Sequence, residues 1–186
     1  MDTPGTHLVV DMLYDFIDGT LACAHAAEAV DKSIEYINAH PGQKVLYVCD
    51  CHPKDHCSFR ENGGIWPVHC VQDTRGGAIH EAYYTRIENP ENRPSGNNIF
   101  YKGRKKELEE YSGRNAVNNQ GKTISECCSG TVAISGIATE YCIKETVLAL
   151  YEQGFKITLL QDALAYVELR GHQQTLAELG KIVTVE

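Results

Sequence analysis

Short β-rich apolar runs recur along the chain with helical stretches between them, and this alternation limits the fold more than any other feature. THLVVD (6–11), KVLYVCD (44–50), NIFYK (98–102), TVAISG (131–136), FKITLLQD (155–162) and KIVTV (181–185) read as six strands. AAEAVDKSIEYINAH (26–40) reads as an amphipathic helix, and residues near 140–153 and 171–179 as two more. Strands separated by helices cross over rather than form tight hairpins, which builds a parallel sheet covered on both faces. The expected fold is α/β, a doubly wound three-layer α/β/α arrangement around a central, mainly parallel six-stranded sheet. No repeat or linker interrupts the 186 residues, so one domain over 1–186 is expected. The irregular stretch 51–97, with its Gly, Pro and His, reads as a working loop.

Reactive residues fall where such a sheet gathers them. Asp11 closes the first run, Asp50 the second with His52 just beyond, and Lys102 the third. Cys142 follows the fourth, at the start of its helix. Open α/β sheets place their ligand crevice at these carboxyl ends. Each residue alone has a plainer reading: a helix cap for Asp11, a surface lysine for Lys102, a buried core cysteine for Cys142. Their shared placement favours a site.

Asp50 and His52 stand two apart, on the same side of an extended chain, while Cys49 and Cys51 point the other way. WPVHC (66–70) adds His69 from a proline-fixed loop. A carboxylate with two imidazoles suits one divalent ion, Zn foremost with Fe or Mn open, and leaves positions for water or substrate. His56 is either a fourth ligand or a donor orienting Asp50, with the second favoured. A structural zinc knuckle from Cys49, Cys51, Cys57 and Cys70 lacks the usual C-x2-C pair.

SGIATEYCIKETVLAL (135–150) passes through Gly136 into a helix, with Thr139 as expected N-cap and Ile143, Val147, Leu150 and Tyr151 expected on the core face. Cys142 then lies in the first turn, where unpaired amides favour a thiolate and can hold an oxyanion. No His stands as an obvious partner, so Asp11 and Lys102 are the available acid/base and cation.

A formal charge of −8 with basic residues clustered only at 104–106 argues against a nucleic-acid or anionic-membrane partner. RKKELEE (104–110) pairs Lys105 with Glu109 and Lys106 with Glu110 at i,i+4 and reads as a solvated helix face. No apolar run reaches the roughly 20 residues of a membrane span, and no leader pattern opens the chain, so a cytoplasmic location is expected. Eight cysteines in such a chain are expected as thiols, with Cys23, Cys127 and Cys128 as small buried hydrophobes. A homo-oligomer stays open.

With these residues in view, the chain resembles the nicotinamidase branch of the isochorismatase-like cysteine hydrolases. The resemblance rests on VVDMLYDF (9–16), DCHPKDHCSF (50–59), GGIWPVHCVQDT (63–74), YKG (101–103), YSG (111–113) and SGIATEYC (135–142), in order. D-x-H-P-x-x-H-x-S-F and W-P-x-H-C-V-Q are its specific segments and separate metal-binding members from metal-free relatives. The resemblance implies a catalytic triad of Asp11, Lys102 and Cys142, a metal on Asp50, His52 and His69, and a substrate ring between Phe16 and Trp66, with Tyr111 and Ile137 also at the pocket. It implies a cis Ile137–Ala138 peptide and an oxyanion hole from the Ala138 and Cys142 amides. The implied activity is hydrolysis of nicotinamide to nicotinic acid and ammonia through a cysteine thioester, in pyridine nucleotide salvage. Cys51 departs from the usual Trp, and Arg114 from the usual apolar residue, where it is expected at the pocket rim. Another amidohydrolase of the fold, acting on a different carboxamide or a ureido compound, is the nearest alternative. A non-haem iron oxygenase and a non-enzymatic metal-binding or redox-sensor protein are the more distant ones.

Overall fold

The computed structural model describes residues 5–186; Met1–Pro4, the start of the stretch read above as lacking a leader, lie outside the described residues. In chain order the strands are β1 (Thr6–Val10), β2 (Lys44–Asp50), β3 (Ile99–Lys102), β4 (Val132–Gly136), β5 (Ile157–Leu164) and β6 (Thr184–Val185). The α-helices are α1 (Tyr14–Ile17), α2 (Ala26–Ala39), α3 (Ala82–Thr85), α4 (Ile124–Cys127), α5 (Lys144–Glu152) and α6 (Leu169–Leu179). All six strands join one sheet in the order β3-β2-β1-β4-β5-β6, and every pairing is parallel. The order reverses between β1 and β4, which opens a crevice at their carboxyl ends.

The strands are apolar throughout because both faces are covered, and their two-residue period sorts side chains between two cores. Val9, Val45, Tyr47 and Cys49 pack with Ala29, Val30, Ile34 and Ile37 of α2 and with Tyr83 of α3. Leu8, Val10, Leu46 and Val48 pack on the other side with Ile124 of α4, Val147 and Leu150 of α5, and Leu179 of α6. Fully burying one such aliphatic side chain stabilises by about 1.5–3 kcal/mol, so the sheet is a stiff platform for what lies at its ends. Among the described residues, no helix is long and apolar enough to cross a membrane.

Three local expectations are corrected. Residues 104–110 form no helix, because their backbone closes over the loop beyond β2: Lys106 O accepts from Cys57 N (2.8 Å) and Leu108 O from His56 Nε2 (3.1 Å). Lys106 pairs with Asp55 at 2.6 Å instead of Glu110. Thr139 is not an N-cap but opens a π-helical turn, Thr139–Ile143, ahead of α5, and its hydroxyl donates to Ala165 O at 3.1 Å. Tyr151 is 45% exposed, on the outer side of α5.

Gly136 closes β4 with φ +142°, and a Cβ there would sit 2.1 Å from Val10 O of the neighbouring strand. Gly136→Ala therefore has to push β1 from β4 or leave its backbone conformation. The expected loss is about 3 kcal/mol, a fall in Tm of roughly 6–12 °C by circular dichroism; an unchanged Tm would mean the close approach carries no cost.

Candidate active site

β3, β2, β1 and β4 lie side by side, and each ends at or just before a reactive side chain. Asp11 follows β1 in a left-handed conformation (φ +52°), with its amide donating to Val48 O at 2.8 Å. This turns the carboxylate across the strand ends, where Oδ1 accepts from Asp50 N at 2.8 Å. Asp50 and Lys102 are register partners at the ends of β2 and β3. The Lys102 ammonium lies 3.0 Å from Asp11 Oδ2, 2.5 Å from Asp50 Oδ1 and 3.4 Å from Cys142 Sγ. Ligating atoms of Asp11, Asp50 and Cys142 all fall within 4.8 Å of one another. Asp11 is fully buried, and Lys102, Asp50 and Cys142 are nearly so, with 2%, 4% and 5% exposure.

Burial sets the protonation of this group. It pushes Asp11 up to about 6, helped by the Asp50 charge and opposed by Lys102. Burial also drives the Cys142 thiol well above its usual value; Lys102 opposes the rise, and Asp11 and Asp50 add to it. The helix start was expected to favour a thiolate; the dry, acidic surroundings make the resting sulfur a neutral thiol instead. Burial opposes ionisation of Asp50, yet Lys102 and then His52 hold it well below the usual carboxylate range. Lys102 stays charged: desolvation works against the ammonium, and Asp11 and Asp50 overcome it.

Asp50 belongs to a second cluster. One ligand atom each of Asp50, His52 and His69 lie within 4.8 Å of one another, all buried. His52 Nδ1 donates to Gly103 O (2.9 Å) and His69 Nδ1 donates to Pro67 O (2.7 Å), which leaves Nε2 as the nitrogen each ring can offer a metal; burial opposes the His52 cation, but Asp50 beside it raises its pKa. Burial lowers the His69 pKa and keeps that ring neutral. An oxygen and two imidazole nitrogens so prepared fit a divalent metal ion. His56 joins neither cluster. Its Nδ1 accepts from Ser58 N (3.2 Å), its Nε2 donates to Leu108 O (3.1 Å), and its ring stacks on His52 at 4.1 Å. Both nitrogens are committed, and Lys102 rather than His56 orients Asp50. The cysteines weighed as a knuckle form no ligand cluster among the described residues.

The two clusters share one narrow pocket whose walls include Phe16, Trp66, Tyr111, Ala138, Tyr141 and Val167. Trp66 Nε1 donates to the Tyr111 hydroxyl at 3.0 Å, and Tyr141 meets Trp66 edge-on at 5.0 Å. Phe16 packs against the His69 ring at 5.5 Å. Ile137 is a correction: it is fully buried in the core, and Ala138, across the cis Ile137–Ala138 bond, reaches the wall instead. Arg114 is another, since it lies off the pocket and faces Glu152 at 3.5 Å. Sequence reasoning missed Leu21, Cys23, Ser58, Glu109, Tyr141 and Val167 of the lining. Tyr141, beside the nucleophile, was the one with a signal. A larger open groove of about 1060 Å³, among Tyr36, Phe155 and Lys181, holds none of these reactive groups.

Comparison with known proteins identifies the family. The isochorismatase domain model matches residues 6–186. The nicotinamidase of Escherichia coli (strain K12) is 26% identical, with 90% of this chain and 85% of that protein covered. The crystal structure of the Pyrococcus horikoshii pyrazinamidase in complex with zinc superposes with a TM-score of 0.83 at 32% identity, covering 98% of this chain and 99% of that one. PnC1 from L. infantum in complex with nicotinate gives 0.77 at 26% identity, covering 97% and 91%. With its fold and almost all its described length matched, the chain belongs to the isochorismatase domain family.

Proposed function

We propose that this chain is a metal-dependent cysteine amidohydrolase that converts nicotinamide to nicotinic acid and ammonia. The observation that carries the proposal is the meeting of a thiol, a carboxylate of raised pKa and an ammonium beside a three-donor metal set, inside one aromatic-walled pocket. In this reading a flat ring would lie between the Phe16 and Trp66 walls, with its carboxamide toward Cys142. Asp50, His52 and His69 would hold the metal, which when bound supplies a Lewis-acidic anchor for the ring nitrogen. Zinc is the ion bound by the Pyrococcus horikoshii relative.

Asp11, with a pKa of about 6, is a base suited to neutral pH. It takes the Cys142 proton as sulfur attacks the amide carbon, so no free thiolate has to form in the buried site. The oxyanion lies against the Ala138 and Cys142 amides. Protonated Asp11 gives its proton to the departing nitrogen, which leaves as ammonia and a thioester remains. Asp11 then takes a proton from water, hydroxide adds to the thioester carbon, and the sulfur recovers the proton as the acid departs. Lys102 keeps its charge throughout and steadies both carboxylates.

Cys142→Ala should lower ammonia release from nicotinamide by at least about 10³-fold while preserving the circular dichroism spectrum. Near-normal release would end the thioester mechanism, and turnover of a ureido compound with nicotinamide untouched would move the substrate assignment. Because Asp11 works ionised, log kcat/KM should fall with unit slope as pH drops below about 6, and Asp11→Asn should abolish that limb along with most of the rate. A flat profile from pH 5 to 8 would remove Asp11 as the base. Chelation should yield a folded, inactive protein that zinc restores; unfolding on metal removal would instead mark a structural ion.

A further inference from the structure

His69 is held from both sides by one turn of another segment. Asp15, in α1 beside Phe16, accepts at Oδ2 from the amide of Cys70 at 2.8 Å, and Thr20 Oγ1 donates to Val68 O at 2.7 Å. The residues before and after His69 are thus both tied to residues 15–20. The tie is built tightly. Asp15 Oδ1 also accepts from Thr20 N (3.3 Å), and the Asp15 amide donates to Gly76 O (3.0 Å). Gly19 and Gly76 pack so closely that a Cβ on either would come within 2.4 or 2.0 Å of a carboxylate oxygen. Cys70 sits at φ +48°, a conformation that costs an ordinary residue about 1–2 kcal/mol and needs an outside hold.

We infer that Asp15 is a positioning residue, supported by Thr20, that fixes the His69 loop and so sets the third metal donor and the Phe16 wall in one register. This rests on the reading of Asp50, His52 and His69 as a metal site. A carboxylate suits the task because it presents two acceptors to two amides, whereas an asparagine would turn its NH2 against one of them.

The test is zinc affinity of the demetallated full chain, titrated against a fluorescent zinc chelator. The rate at which iodoacetamide alkylates Cys128, read by peptide mass mapping, serves as a second readout. Asp15→Asn should weaken zinc binding by about 10–100-fold, as loss of a partner that orients a ligand does. Thr20→Val should weaken it less, in the same direction. Alkylation of Cys128, which lies ahead of β4 at the end of the sheet opposite the pocket, should not change in either variant, whereas a general loosening of the fold would raise it together with the zinc effect and overturn the assignment. Zinc affinity equal to wild type in Asp15→Asn overturns it too. If that variant fails to fold, Thr20→Val decides, and wild-type affinity there has the same meaning. A wild-type chain that binds no zinc would defeat the metal-site reading itself, a different result from a variant that binds as wild type does, and this inference would fall with it.

Discussion

The ammonium of Lys102, wedged between the carboxylates of Asp11 and Asp50, is the interaction on which the site depends. Two carboxylates this close and this dry could not both stay ionised without a cation between them. Removing one member of a buried charge network costs about 3–5 kcal/mol, because the others are left uncompensated. The sheet supplies the placement: Asp50 and Lys102 are register partners, and Asp11 is drawn across by its bond to the Asp50 amide. Three strands thus agree on one charge cluster before any substrate arrives.

That cluster also decides how the nucleophile works. A helix start can lower a thiol pKa, but its partial charge is small beside the cost of ionising a sulfur this deeply buried, to which the two carboxylates add. Cys142 is accordingly a neutral thiol at rest, and the raised pKa of Asp11 makes proton transfer during attack the natural route. The π-helical turn Thr139–Ile143 carries the sulfur to this place, with Thr139 tied to Ala165 rather than to the helix it precedes. Asp50 serves two neighbours at once, with one oxygen beside Lys102 and the other 3.6 Å from His52 Nε2.

Much of this was legible in the residues. The strands were visible because buried parallel strands are apolar on both faces, and the chemistry because Asp11, Asp50, Lys102 and Cys142 punctuate their ends. His52 and His69 were legible from spacing, but His56 was not, since only the fold shows that a ring stacked on His52 spends both nitrogens on backbone groups. Residues 104–110 misled because i,i+4 pairs are compatible with a helix without requiring one, and tertiary bonds to His56 and Cys57 claimed their carbonyls. Val167 was invisible because an apolar residue on a wall and one in a core look alike in sequence. The sulfur's protonation depended on burial, which no local pattern reveals.

The pocket divides its labour between two kinds of backbone. Asp11, Asp50 and Lys102 stand at or just beyond strand ends and Cys142 in the turn that leads from β4 into α5, whereas Phe16 comes from the single-turn helix α1 and Trp66, Tyr111 and Val167 from the stretches joining strands and helices. Connections tolerate exchange far better than a packed sheet. A lineage built this way can retool its appetite by rewriting loops while the bond-breaking engine beneath passes down intact.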